Sequence, residues 1–160
     1  MTLSIAAKYP WGIQANLPGG PGPEAILFAT DSRLTHYITG ATCDIGEKLL
    51  PIGRNAAMVY AGPAKSAEMV VRKLHREFPH SSQVKLKTLT QCVQSEFAKA
   101  HLEINRRSAA LLGVYDPDVK RTALYGFDSS SIPPFCPREL SGVQCIGTSV
   151  PVCQLYVKKL

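Results

Sequence analysis

The chain opens Met1-Thr2-Leu3-Ser4-Ile5-Ala6-Ala7-Lys8-Tyr9, and the reading of this stretch decides the fold. Leu3, Ile5, Ala7 and Tyr9 alternate with Thr2, Ser4, Ala6 and Lys8, which is the period of a β-strand. A strand here puts Thr2, Ser4 and Lys8 on one face. Threonine is small enough for the preceding initiator methionine to be removed. Removal leaves a hydroxyl and a free α-amine in a single residue. A hydroxyl is a poor nucleophile until a base takes its proton, and a terminal amine beside it can do so. An α-amine titrates at roughly 7.7–8.0, so a useful fraction is neutral near pH 7, and a neighbouring cation raises that fraction. Taken alone, Thr2 reads as an ordinary strand residue. The chemistry also needs a carboxylate, a lysine and a glycine-bearing turn, in the right order along the chain.

Moving outward, Pro10-Trp11-Gly12 and the run Asn16-Leu17-Pro18-Gly19-Gly20-Pro21-Gly22-Pro23 form a loop that no helix or strand continues through. Trp11 reads as a packing residue at the root of that loop. Residues 24–30 (Glu24-Ala25-Ile26-Leu27-Phe28-Ala29-Thr30) are short, apolar and β-prone, and they end at Asp31-Ser32-Arg33. Residues 34–47 read as short strands and turns. Residues 47–53 read as a short strand broken by Pro51, and residues 55–61 as another strand, closed by Gly62-Pro63.

The period changes at Ala64. Ala64, Ala67, Val70, Val71, Leu74 and Phe78 recur at helical spacing between Pro63 and Pro79, a start and a stop. A second helical stripe holds Leu86, Leu89, Val93, Phe97, Ala100 and Ile104 and ends near Arg106-Arg107. Both stripes read as core packing. Residues 108–115 and 119–127 form an antiparallel hairpin turning at Asp116-Pro117-Asp118. Residues 129–137 are a polar, proline-rich loop. Residues 143–146 form a strand running into Gly147-Thr148-Ser149, where a helix holding Val152, Leu155 and Tyr156 is expected to begin. Strands, paired helices, then strands again imply a layered α+β fold.

Composition is consistent with this. The 160 residues are 45% hydrophobic and 19% charged, which suits one domain with a real core. The net charge is +6, but the basic residues are scattered. The densest groups, Arg72-Lys73, Lys85 with Lys87, Arg106-Arg107 and Lys158-Lys159, have no aromatic residues interleaved, so they read as solvated surface rather than a nucleic-acid platform. Cys43, Cys92, Cys136, Cys145 and Cys153 make an odd count with no CxxC pair and no zinc spacing to the histidines. Reduced, mostly buried thiols in a cytoplasmic protein are expected. No signal-peptide pattern is visible at the start, and no stretch approaches the ~20 apolar residues of a membrane span.

Five features now form an ordered set: Thr2 opening a strand, Asp31-Ser32-Arg33 closing the next, Lys48 ahead of Leu49-Leu50-Pro51-Ile52, Ala61-Gly62 leading into a helix, and the late Ile146-Gly147-Thr148-Ser149. In this set the chain resembles the catalytic β-type subunits of the proteasome and the simpler bacterial proteasome-like peptidases, which are N-terminal nucleophile hydrolases. The resemblance covers nearly the whole chain and is strongest over residues 24–75. It implies a four-layer αββα sandwich. It implies Thr2 as nucleophile through Oγ, with the freed amine as base, and Lys48 beside it as the activating cation. Asp31 would hold Lys48, the backbone N–H of Gly62 would line an oxyanion hole, and Thr148 and Ser149 would orient the terminal amine. Read singly, Asp31 is a turn cap and Lys48 a solvated lysine; as members of the set they are catalytic.

The chain departs from the family pattern in four places. The loop at 10–23 is longer than usual, and the spacing from Asp31 to Lys48 is slightly stretched. Gly-Thr-Ser stands where Gly-Ser-Gly is more usual. The family's further catalytic aspartate falls beyond residue 160, so a domain lacking its C-terminal elements is expected. The resemblance implies a threonine-type peptidase acting on peptides or unfolded proteins in a homo-oligomeric ring, with an ATPase as a partner. It implies no metal or organic cofactor, no nucleic acid and no membrane. Two other readings stand beside it: a catalytically silent proteasome-like structural or assembly subunit, favoured by a retained Met1, and an N-terminal nucleophile amidase acting on a small amide.

Overall fold

The computed structural model describes residues 3–10, 24–31, 34–35, 42–43 and 48–147. Strands β1 (Leu3–Pro10), β2 (Glu24–Thr30), β3 (Leu34–Thr35), β4 (Thr42–Cys43), β5 (Leu49–Ile52) and β6 (Ala56–Ala61) come first. Helices α1 (Ala64–Glu77) and α2 (Leu86–Ile104) follow, then strands β7 (Ala109–Asp116), β8 (Arg121–Asp128), β9 (Arg138–Leu140) and β10 (Val143–Gly147). The protein is α+β: the described residues form two helices with two larger antiparallel sheets, of order β10-β1-β2 and β5-β6-β7-β8-β9, and a small β3-β4 ribbon.

Each helix ends where local chemistry stops it. α1 starts after Pro63, whose extended backbone (φ −61°, ψ 131°) turns the chain into the first turn, and it ends before Pro79. α2 ends at Asn105, which takes the left-handed conformation (φ 47°, ψ 45°) and donates its N–H to the His101 carbonyl. The β7–β8 hairpin turns at residues 117–120, helped by Asp116, whose Oδ1 accepts the Asp118 N–H at 3.0 Å.

Two hydrophobic interfaces make three layers. On one face of the five-stranded sheet, Met58, Tyr60, Ala110, Leu112, Val114 and Phe127 pack with Ala67, Val70 and Leu74 of α1 and Leu89, Val93 and Phe97 of α2. On its other face, Val59, Leu111 and Leu124 meet Ala6, Ile26, Phe28 and Ile146 of the three-stranded sheet. Alternation along β6 and β7 sends successive residues to opposite interfaces, so one strand serves both cores. The sheets approach closely at Gly113. A β-carbon there would lie 2.8 Å from Phe28 Cζ and 3.0 Å from Ile26 Cδ1. Gly113→Ala is therefore expected to cost about 1–2 kcal/mol through overpacking of the sheet–sheet core. Urea denaturation checks this; an unchanged midpoint would mean the sheets separate freely.

Several expectations are corrected. Pro10 closes β1 rather than opening the loop, paired with Glu24. Pro51 lies within β5, opposite Ala57, and is tolerated because β5 is an edge strand. β9 was not expected; it pairs with β8 and carries Glu139, which forms a salt bridge with Arg121 across the strands. Cys92, Cys136 and Cys145 are only half-buried, not the mostly buried thiols expected. The loop at 11–23 with Trp11, and the expected helix after Gly147, lie outside the described residues. Among the described residues, no helix is long and apolar enough to cross a membrane.

Candidate active site

Three of the residues singled out in the sequence are described, and two of them meet directly. Lys48, the residue before β5, is only 3% exposed, so the reading as a solvated lysine is wrong. Its Nζ donates to Asp31 Oδ1 in a salt bridge. Asp31 also holds β1. Its other oxygen, Oδ2, accepts the Leu3 backbone N–H at 2.7 Å, and its own N–H donates to the Leu3 carbonyl at 3.1 Å. One carboxylate thus holds a buried ammonium and the first described peptide group of β1. Both bonds to the carboxylate are charge-assisted, the stronger kind.

The strands explain this meeting. β1 pairs with β2 so that Ser4 lies opposite Thr30, which brings Asp31 to the open end of β1 at Leu3. Lys48 reaches the same point from the other sheet. β5 pairs with β6 with Leu49 opposite Val59, and continuing that register sets Lys48 level with Tyr60, next but one to Gly62. Asp31 and Lys48 therefore bridge the two sheets.

Gly62 follows β6 and has φ +141°, a region that side chains rarely adopt. It presses on the start of β7, so that a β-carbon would lie 2.7 Å from Ser108 Cβ and 2.9 Å from Ser108 Cα. The structure gives Gly62 a constrained backbone at the end of the strand that runs alongside Lys48. Thr2, Thr148 and Ser149 lie outside the described residues.

Two hydroxyls that sequence reasoning left without a role belong to this cluster. Ser4 is fully buried, its Oγ lying 2.8 Å from Thr30 Oγ1 and 3.4 Å from the Tyr60 carbonyl. Thr30 Oγ1 is also within 3.4 Å of the Leu3 carbonyl. The available signal was the placement of Ser4 on the same strand face as Thr2.

Elsewhere, a groove of about 440 Å³ runs along α2, lined by Gln91, Gln94, Ser95, Ala98, His101, Leu102, Pro133 and Pro134. It contains no nucleophile paired with a base. Cys92 is no candidate nucleophile, since burial and then the hydrogen bond it donates to Glu77 push its thiol up to about 12. Compared with known proteins, the chain matches no family model and no curated protein.

Proposed function

We propose that this chain is an N-terminal threonine hydrolase of the proteasome β type, cleaving peptide bonds in unfolded chains. The observation that carries the reading is Asp31, whose two oxygens hold the buried Lys48 ammonium and the amide that follows Thr2. An ammonium buried as deeply as that of Lys48 is costly unless it is paired and hydrogen-bonded, and a site that needs a fixed cation is a reason to keep one.

In this reading the amine of Thr2 takes the Oγ proton as the oxygen attacks the substrate carbonyl, and Lys48 favours the neutral amine through its charge. The Gly62 N–H stabilises the oxyanion, a contribution of roughly 3–4 kcal/mol for a well-placed donor. Collapse breaks the C–N bond, the leaving amine takes the proton, and Thr2 keeps the acyl group as an ester. Water hydrolyses the ester with the amine again acting as base. Thr148 and Ser149 would orient that amine.

A four-layer αββα sandwich belongs to the same proposal. Helices, five-stranded sheet and three-stranded sheet make three of its layers. Leu27 and Val143, 54% and 43% exposed, supply apolar surface on the three-stranded sheet against which a fourth would pack. A stacked homo-oligomeric ring, an ATPase partner and a cytoplasmic setting complete the reading.

The test begins with the intact mass of the protein made from its native start codon. Loss of one methionine, one covalent adduct from a peptide epoxyketone, and no adduct on Thr2→Ala are the expected results. Full retention of Met1 overturns the proposal for that form and favours the silent structural subunit.

A further inference from the structure

We propose that Ser4 is a positioning residue: its buried hydroxyl ties β1, β2 and β6 at one point and so sets the separation between the Thr2 nucleophile and the Gly62 amide. This rests on the hydrolase reading above. Ser4 is 0% exposed, while its neighbour on the same face, Ala6, and the residues around it on the inner face of the sheet, Ile26, Phe28 and Ile146, are apolar. A buried hydroxyl in such a place costs stability unless it is hydrogen-bonded. Two arrangements use both hydroxyl protons. In one, Ser4 donates to Thr30 Oγ1 at 2.8 Å and Thr30 to the Asp31 carbonyl at 3.2 Å. In the other, Thr30 donates to Ser4 Oγ and Ser4 donates to the Tyr60 carbonyl at 3.4 Å, and it is this second one that joins the two sheets.

The three groups joined are the ones that deliver the site. Ser4, on β1, is two residues along the chain from Thr2; Thr30, the last residue of β2, precedes Asp31; and Tyr60, on β6, lies two residues ahead of Gly62. In this reading the nucleophile precedes a strand of one sheet in the chain and the oxyanion donor follows a strand of the other. Between the sheets, Ala6, Phe28, Val59, Leu111 and Leu124 make contacts that are apolar and non-directional. Such packing holds the layers together but leaves them free to slide by fractions of an ångström. A hydrogen bond has a preferred line and length, and catalytic groups need that precision, since a 1 Å error costs about 10²-fold in rate. Asp31–Lys48 ties the sheets at the mouth of the site, and Ser4 ties them beneath it.

The experiment compares wild-type protein and Ser4→Ala, with concentrations counted by active-site titration with a peptide epoxyketone. kcat and KM are measured on a peptide amide, and thermal stability in parallel. Ser4→Ala is expected to lower kcat per titrated site by about 10- to 100-fold, while KM changes less than about 2-fold. Ser4→Ala with wild-type kcat per site overturns the positioning role, whatever its melting temperature, and leaves the hydrolase reading standing. A wild-type protein that takes no label overturns both. Should Ser4→Ala fail to fold, Ser4→Cys keeps a similar volume but offers only a weak donor to the Tyr60 carbonyl; a kcat reduced at constant KM supports the tie, and an unchanged kcat overturns it.

Discussion

Asp31→Ala is expected to lower stability by about 3 kcal/mol and to reduce peptide hydrolysis by at least about 10³-fold, whereas Lys48→Met should lose the same activity at little cost in stability. The asymmetry follows from burial. The Lys48 side chain is 2% exposed and that of Asp31 is 34% exposed. Removing the carboxylate leaves an ammonium in a place where water does not reach, and it also takes the acceptor from Leu3 N at 2.7 Å. Removing the ammonium instead leaves a carboxylate that water reaches and that still accepts the Leu3 N–H. Methionine fills most of the lysine stem's volume, so the cost of Lys48→Met should stay near 1 kcal/mol. For a domain of this size, 3 kcal/mol corresponds to roughly 6–12 °C in melting temperature. Thermal melts and kcat/KM on the same preparations check the prediction. Equal melting temperatures for the two variants would show that the ion pair is not held as tightly as its burial implies. Full activity in Lys48→Met would remove the cation from the mechanism.

The order of elements was legible because simple signals mark it. Pro63 and Pro79 bracket α1, Asp116-Pro117-Asp118 turns the β7–β8 hairpin, and the stripe from Leu86 to Ile104 matches α2. β9 was hidden because Arg138 and Glu139 are exposed, so its apolar alternation amounts to Leu140 alone. Nor did alternation reveal which face of β1 turns inward. Ser4 and Ala6 are buried while the larger Leu3, Ile5 and Ala7 side is only half-buried, the reverse of what hydrophobicity suggests. Small residues stand there because the opposing sheet comes close, as the space around Gly113 also shows. The pairing of Asp31 with Lys48 was legible only through their order with Thr2 and Gly62. Each residue by itself reads as surface chemistry, and their contact depends on two separate strand registers that converge from different sheets.

Gly62→Ala is expected to combine a folding defect of about 3 kcal/mol with a loss of about 10²–10³-fold in kcat. Two costs add. An alanine at φ +141° is strained wherever it occurs, and here its β-carbon would also lie 2.7 and 2.9 Å from Ser108 Cβ and Cα and 3.1 Å from the Arg107 carbonyl. Those atoms belong to the backbone, or to the first atom beyond it, and no side-chain rotation relieves them. Ser108 is itself held, its carbonyl accepting the Ser129 N–H at 3.0 Å and its N–H donating to Ser129 Oγ at 3.2 Å. The strain must therefore be relieved at residue 62, by rotating the peptide whose N–H is the proposed oxyanion donor. Gly142→Ala is the control. It too has positive φ, +64°, but no atom lies within 4 Å of where its β-carbon would be. It should cost about 1 kcal/mol and leave kcat unchanged. Urea midpoints and kcat per titrated site separate the two effects. If Gly62→Ala is destabilised but keeps its kcat, the N–H at residue 62 is not the oxyanion donor, and the glycine is there only because β6 must pass the start of β7 at a distance no side chain allows.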